Sequence, residues 1–388
     1  MNVLLTIGIA MAAGLLVSRL ARLVKLPNVT AFLVAGLVIG PCVGRIITEE
    51  QAASMNVISE AALGFIAYAI GGEFKLSYLK KIGKAPLTIT FFQGMTTALC
   101  VDVGLIVLGV PVPEALLLGA IALATAPAAT LMVVRQYKAN GPVTQMLLPV
   151  VAMDDALGLM VFSISSSVAA ALLGGEMTVQ SMLVAPLAEI VGSLALGSAL
   201  GFVLGYCSRF FASRGNKLAL SIALVLAGVG LCDMWGLSSL LVCMMIGAVM
   251  VNISQQHEVL MEQCDRFTPP LFLLFFVLSG AQLDLTVLPV VGLTGICYLL
   301  LRSIGKWCGT MLGALCVHAD KNIRKYLGLT LLPQAGVAIG MSQLVSIKFP
   351  ALASQINTIV LAGVLVFELV GPIVTKLALT KAGEITAK

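Results

Sequence analysis

Charge is almost absent from the long runs that make up this chain. Only 11% of its 388 residues are Asp, Glu, Lys or Arg, and 59% are hydrophobic; a soluble domain carries roughly 25% charged residues. A chain this poor in charge cannot cover itself with a solvated surface. Its apolar runs, separated by short polar or Pro/Gly breaks, approach the length of about 20 residues that crossing a bilayer demands. In hydrocarbon the backbone must satisfy its own hydrogen bonds, so the expectation is an all-α polytopic membrane protein with the lipid bilayer as its solvent. Thirteen spans are predicted, near 3–18, 28–43, 54–73, 85–109, 113–135, 143–173, 182–207, 217–234, 237–253, 267–281, 286–317, 324–347 and 351–376. The second and tenth are short enough to be tilted, broken or re-entrant.

The net charge of +5 suggests a nucleic-acid partner only until the basic residues are placed. If the first connection is inside, 19 of the 23 Lys and Arg fall in inner loops or the C-terminal tail, and only Arg45 and Lys348 in outer loops. That asymmetry collapses if one span is missed, because every later loop changes side. It supports an odd number of spans, the N-terminus outside and the C-terminus cytoplasmic. Tyr78, Tyr137, Tyr206 and Tyr326 stand near inner helix ends, as interfacial anchors do. Arg19, Arg22 and Lys25 follow the first run rather than precede it, so that run is not expected to be a cleaved leader. The nine cysteines lie mostly inside apolar runs with no C-x-x-C spacing, reading as packing residues rather than a disulfide framework or a metal site.

Two pairs of segments match at nearly one offset. Gly71-Gly72-Glu73-Phe74-Lys75-Leu76 resembles Gly280-Ala281-Gln282-Leu283-Asp284-Leu285 at an offset of 209, and the segment around Gly36 resembles that around Gly247 at an offset of 211. The copies exit on opposite sides, which makes the repeat inverted, a transporter arrangement with binding near the midplane. The expected organisation is a first repeat over about 1–173, a linker helix over about 182–207 and a second repeat over about 217–377, within a single transmembrane domain spanning 1–388 and with no soluble regulatory domain expected. The fifth span carries Thr125, Pro127 and Thr130 in its interior, and the twelfth carries Pro333-Gln334-Ala335-Gly336, about 206 residues later. Proline removes a backbone donor and frees a carbonyl. Each segment is therefore either a simple kink or a helix broken at the midplane.

An ionisable residue at the bilayer centre costs at least roughly 2.5–3.5 kcal/mol on insertion scales. Asp154 and Asp155 lie mid-run in the sixth span. Two neighbouring carboxylates in low dielectric do not both ionise cheaply without a counter-charge. A carboxylate that can hold either a hard cation or a proton meets the requirement of an exchanger. Lys306, with Arg302 four residues earlier on the same helical face, is deep enough to supply the counter-charge; Arg302 is read as a packing or snorkelling charge. Glu60 and Glu368 are candidates to line an access path, and Asp102 and Glu189 to pair with polar groups elsewhere.

These residues resemble the monovalent cation/proton antiporter superfamily, in particular its electrogenic bacterial sodium/proton branch, which is related to the membrane domain of the potassium-efflux antiporters. The resemblance rests on Leu26 to Pro41, Glu60 to Phe74, Lys80 to Lys84, Asp154-Asp155, Phe275 to Gly280, Arg302 to Lys306 and Glu368 to Pro372. It implies a homodimer in the bacterial plasma (inner) membrane, with a dimerisation domain and a mobile core containing two crossed discontinuous helices, the fifth and twelfth. It implies that Asp155 binds the cation, sodium or lithium, in competition with the proton. It further implies that Asp154 pairs with Lys306, that Thr125 and Thr130 are polar positions of the first unwound segment, and that the core moves as an elevator. No cofactor is implied. Gln334 departs from the family pattern, in which charged residues follow the proline. A potassium/proton antiporter, or the membrane subunit of a potassium-efflux system, is the alternative. A sodium-coupled organic-anion symporter would not need Asp154, Asp155 and Lys306 together, and no nucleophile, metal cluster or phosphate loop marks an enzyme.

Overall fold

The computed structural model of the chain describes residues 2–23, 26–72, 74–76, 83–174, 184–283, 285 and 291–385. Among these residues it holds sixteen α-helices and no strand. They are α1 (Val3–Leu23), α2 (Asn28–Ile39), α3 (Glu49–Ser54), α4 (Asn56–Gly71), α5 (Ala85–Val107), α6 (Val112–Leu123), α7 (Pro127–Tyr137) and α8 (Pro142–Leu172). After these come α9 (Ala185–Cys207), α10 (Arg214–Trp235), α11 (Ser239–Ile253), α12 (His257–Ala281), α13 (Gly292–Cys316), α14 (Lys321–Thr330), α15 (Gly336–Lys348) and α16 (Pro350–Lys381). Eight of the spans are long and apolar enough to cross a membrane, and further apolar helices are shorter.

The thirteen expected spans map onto these helices with two informative splits and one correction. The fifth span is α6 and α7, the twelfth is α14 and α15, and both interruptions fall on the prolines singled out above. The tenth span does not begin at 267 but is the rear of α12, which starts at His257 and carries Pro269 and Pro270 within it. Hydropathy registers only the apolar part of a helix. The preceding polar turns remain helical, with the i,i+4 pair Arg266–Glu262 at 2.5 Å across their surface. Lys25, Glu73, Tyr78, Lys80, Lys81, Asp284 and Lys388, together with 182–183 and 286–290, lie outside the described residues.

The helices form two compact units, each drawing on both sequence halves. One gathers α1, most of α2, α3, α4 and α9–α12; the other gathers α5–α8 and α13–α16. In the first unit the repeat shows in the packing. A Cβ on Gly36 would fall on the Val277 carbonyl of α12, and one on Gly280 would fall on the Leu33 carbonyl of α2. Likewise a Cβ on Gly71 would meet the Met244 carbonyl of α11, and one on Gly247 the Tyr68 carbonyl of α4. The two glycine pairs matched in sequence thus cross reciprocally, the first copy of each against the second copy of the other. Two-fold-related copies produce that exchange.

In the second unit α5 and α13 pack closely. Gly305, Gly309 and Gly313 line one face of α13, and a Cβ on each would lie 2.7, 2.7 and 2.8 Å from the Cα atoms of Thr97, Gln93 and Ile89. Small residues at a spacing of four let two backbones approach where lipid offers no hydrophobic drive between helices. The contact brings Gln93 of α5 level with Lys306 of α13.

Gly71→Ala and Gly280→Ala should each destabilise the protein by about 1–3 kcal/mol, because the added methyl meets backbone rather than a movable side chain. Gly8→Ala, which meets nothing within 4 Å, serves as the neutral comparison. Thermal unfolding in detergent reads the difference.

Candidate functional site

The site begins with backbone. α6 stops at Leu123; Ala124 and Ala126 are extended (ψ 134 and 105), and Pro127 opens α7. Proline disfavours the helical conformation in the residue before it, so the break falls where the sequence puts it. The second break runs from Leu331 to Ala335. The two meet: the Ala126 N–H donates to the Pro333 carbonyl at 2.8 Å, and the Thr130 hydroxyl donates to the Thr330 carbonyl at 3.3 Å.

Ending a helix leaves its last carbonyls without partners, and away from water that is costly. Four successive carbonyls at the end of α6 are met by side chains. Ile121 accepts from Gln334 Nε2 (3.1 Å), Ala122 from Arg302 Nε (2.9 Å), Leu123 from Lys306 Nζ (2.5 Å) and Ala124 from Arg302 Nη2 (2.8 Å). Arg302 Nη1 donates to Leu332 in the other break at 2.7 Å. Arg302 therefore bridges both breaks, and its guanidinium carbon lies 4.4 Å from the centre of the Phe367 ring. Cations at helix C-termini also oppose the helix dipole. The face of α13 that presents them repeats every four residues: Tyr298, Arg302, Lys306 and Thr310 are all fully buried. Gln334 Nε2 also donates to the Tyr298 hydroxyl at 3.0 Å.

Lys306 joins this scaffold to the carboxylates. Its ammonium donates to Leu123, to the Thr125 hydroxyl at 2.8 Å and to Asp154 Oδ2 at 2.9 Å, a full set for three protons. Asp154, fully buried on α8, also accepts from the Thr125 hydroxyl on Oδ2 and from Gln93 Nε2 on Oδ1. An ion pair taken out of water repays its desolvation only when further hydrogen bonds complete it, and here they do. Asp155, half-buried beside it, is the opposite case. Its Oδ1 is shut from solvent and has no hydrogen-bond partner among the described residues.

Of the residues read from sequence, Asp154, Thr125 and Lys306 share direct contacts, and Asp155 follows Asp154 on the same helix. Thr130 stands apart from the carboxylates and ties one half-helix to the other. Arg302 is not a snorkelling charge: it is fully buried, and it packs α13 against both breaks by donating to three carbonyls there. Gln334, where the chain leaves the family pattern, caps Ile121. Glu368 is buried on α16, next to the Phe367 that underlies Arg302. Glu60 is exposed on α4, in the other unit. Asp102 and Glu114 in the second unit each keep a buried oxygen without a partner among the described residues. Gln93 was missed. A lone amide in an apolar helix was its only signal, and nothing in the sequence says which carboxylate it faces.

Comparison with known proteins bears on the family and the fold. The family model described as "Sodium/hydrogen exchanger, transmembrane" matches residues 7–381. The chain is 25% identical over 370 residues to the ammonium/H+ antiporter subunit AmhT of Alkalihalophilus pseudofirmus, covering 91% of this chain and 89% of the relative. It is 32% identical to Na+/H+ antiporter 1 of Methanocaldococcus jannaschii over 43% of this chain and 39% of that protein. To the high-affinity Na+/H+ antiporter NhaS3 of Synechocystis it is 24% identical, over 78% of this chain and 66% of that protein. Its fold is similar to that of the sodium proton antiporter MjNhaP1 of Methanocaldococcus jannaschii, with a TM-score of 0.77 at 21% identity and full coverage of both chains.

Arg302→Met should destabilise the protein by at least about 3 kcal/mol, since it strips donors from three buried carbonyls at about 1–3 kcal/mol each. Gln93→Leu, which removes one donor from Asp154, should cost about 1–3 kcal/mol. Thermal unfolding of the purified variants checks both values.

Proposed function

The chain belongs to the sodium/hydrogen exchanger family, and from that premise we propose that it carries out electrogenic exchange of sodium or lithium for protons through Asp155. One observation carries the assignment to Asp155. Of two adjacent carboxylates, Asp154 has both oxygens engaged by Lys306, Thr125 and Gln93, whereas Asp155 keeps a buried oxygen with no donor among the described residues. Asp155 is then the group that must take its partner from outside the protein, a hard cation or a proton. The two compete because one carboxylate cannot hold both comfortably. Asp154, neutralised by Lys306, keeps a second negative charge from raising the cost of ionising Asp155. Proton uptake by the Asp154–Lys306 pair in one state supplies the extra charge that makes exchange electrogenic. The crossed half-helices set the site between fixed partial charges, and the unit carrying them is the body that moves in an elevator cycle.

The loop charges support an N-terminus outside and a C-terminus in the cytoplasm of a bacterial inner membrane, with the protein acting as a homodimer. A second reading keeps the chemistry and changes the cation. The similarity to AmhT, over nine-tenths of both chains, favours ammonium, and the family resemblance adds potassium.

Proteoliposomes with an imposed pH gradient test both readings. Sodium or lithium should collapse the gradient in the wild type and not in Asp155→Asn, with exchange faster when a potassium ionophore clamps the membrane potential. Response to ammonium or potassium alone moves the assignment to that cation. Undiminished activity in Asp155→Asn would sink the site.

A further inference from the structure

Outside the ion site, one buried carboxyl group makes more protein hydrogen bonds than any role above requires. After α16 the chain turns at Gly383, whose φ of 77° suits a residue without a side chain, and folds back on the start of α8. Glu384, 6% exposed, accepts there from the Val143 N–H on Oε1 (2.6 Å) and from both the N–H (2.8 Å) and the hydroxyl (2.7 Å) of Thr144 on Oε2. Its carbonyl accepts from the Asn140 N–H at 3.1 Å. α8 has no cap of its own, because its N-cap is Gly141. A Cβ there would lie 2.4–2.6 Å from Cγ, Cδ and Oε1 of Glu384, so a side chain at 141 would displace that carboxylate. Asn322, second residue of α14, donates its side-chain N–H to the Ala382 carbonyl at 3.2 Å.

Segment 382–385 therefore holds the α7–α8 turn, the first turn of α8, the start of α14 and the end of α16 at one point. α7 and α14 are halves of the two broken helices, and α8 carries Asp154 and Asp155 about 17 Å further along at 1.5 Å per residue. We propose that Glu384 is a positioning residue for the exchange reaction. Its carboxylate latches the segment after α16 onto α8, so that the carboxylate helix and the two half-helices move as one group. A negative group at a helix N-terminus suits the helix dipole as well as the free N–H groups, so the latch needs no other partner. This rests on the exchange function proposed above.

The test uses the full-length protein. In proteoliposomes E384A should lower the maximal exchange rate by about tenfold or more through displacement of the carboxylate helix. The half-saturating cation concentration should stay within about twofold, because no ligand of the ion is altered. Amide hydrogen exchange at Val143 and Thr144 should speed by about tenfold, the loss of one cap. G141S/E384A supplies a serine cap in the space that Glu384 leaves. It should restore amide protection but not the link to 382–385, so the rate stays low. Wild-type transport by E384A, or full recovery of rate in the double variant, would overturn the latch and leave Glu384 a simple helix cap. If E384A does not fold, E384Q is read by the same criteria. Amide exchange is independent of transport. Unaltered protection in E384A therefore overturns the latch even if Asp155→Asn shows the exchange reading to be wrong; in that case faster exchange of the Asn140 N–H, which donates to the Glu384 carbonyl, in both E384A and G141S/E384A supports it.

Discussion

Four consecutive backbone carbonyls, Ile121 to Ala124, have to find donors in the interior of a membrane protein, and much of the second unit follows from how they do. A helix stopped by Pro127 keeps one backbone bond among them, from the Ala124 N–H to the Ile121 carbonyl at 3.2 Å, and leaves the rest to side chains. Gln334, Arg302 and Lys306 meet them instead. The same need explains two buried cations on one face of α13, which would otherwise be a heavy expense in low dielectric. Their charge is matched by the C-terminal dipole of α6 and by Asp154. The glycine stripe of α13 then becomes intelligible: with no side chains at 305, 309 and 313, α5 comes close enough for Gln93 to reach the same carboxylate.

The two aspartates are chemically identical and differ by one position on α8. A step of one residue turns about 100° around a helix, which is enough to send one side chain into the lysine, threonine and glutamine set and leave the other outside it. Asp154 is thus a structural counter-ion as much as a part of the site. Asp155 is left with a buried Oδ1 that meets no donor among the described residues. Under the proposed exchange, the carboxylate that stays unmet is the one that takes up cation or proton.

Much of this was legible in the sequence. Charge poverty and the length of the apolar runs required a helical membrane protein, and eleven of the thirteen expected spans start within about four residues of a described helix. Pro127 and Pro333 marked both breaks, because proline acts on its own backbone and its neighbour's, whatever the tertiary context. Asp154, Asp155 and Lys306 stood out because charge in an apolar run is costly enough to demand a reason. The start of α12 was not legible, since its first turns are polar and hydropathy does not see them. Neither was the role of Arg302, Thr130 or Gln334.

The division has a physical cause. Local steric rules and the cost of burying charge act within a few residues of one chain segment, so the sequence by itself determined the helices, their breaks and the ionisable groups that matter. Which carboxylate is satisfied depends on donors from α5, the first break and α13, as much as 152 residues away from Asp154. The same holds for Glu384, whose partners lie some 240 residues earlier. Pairings over such distances are set by packing and the meeting of backbone breaks, and only the tertiary structure decided them.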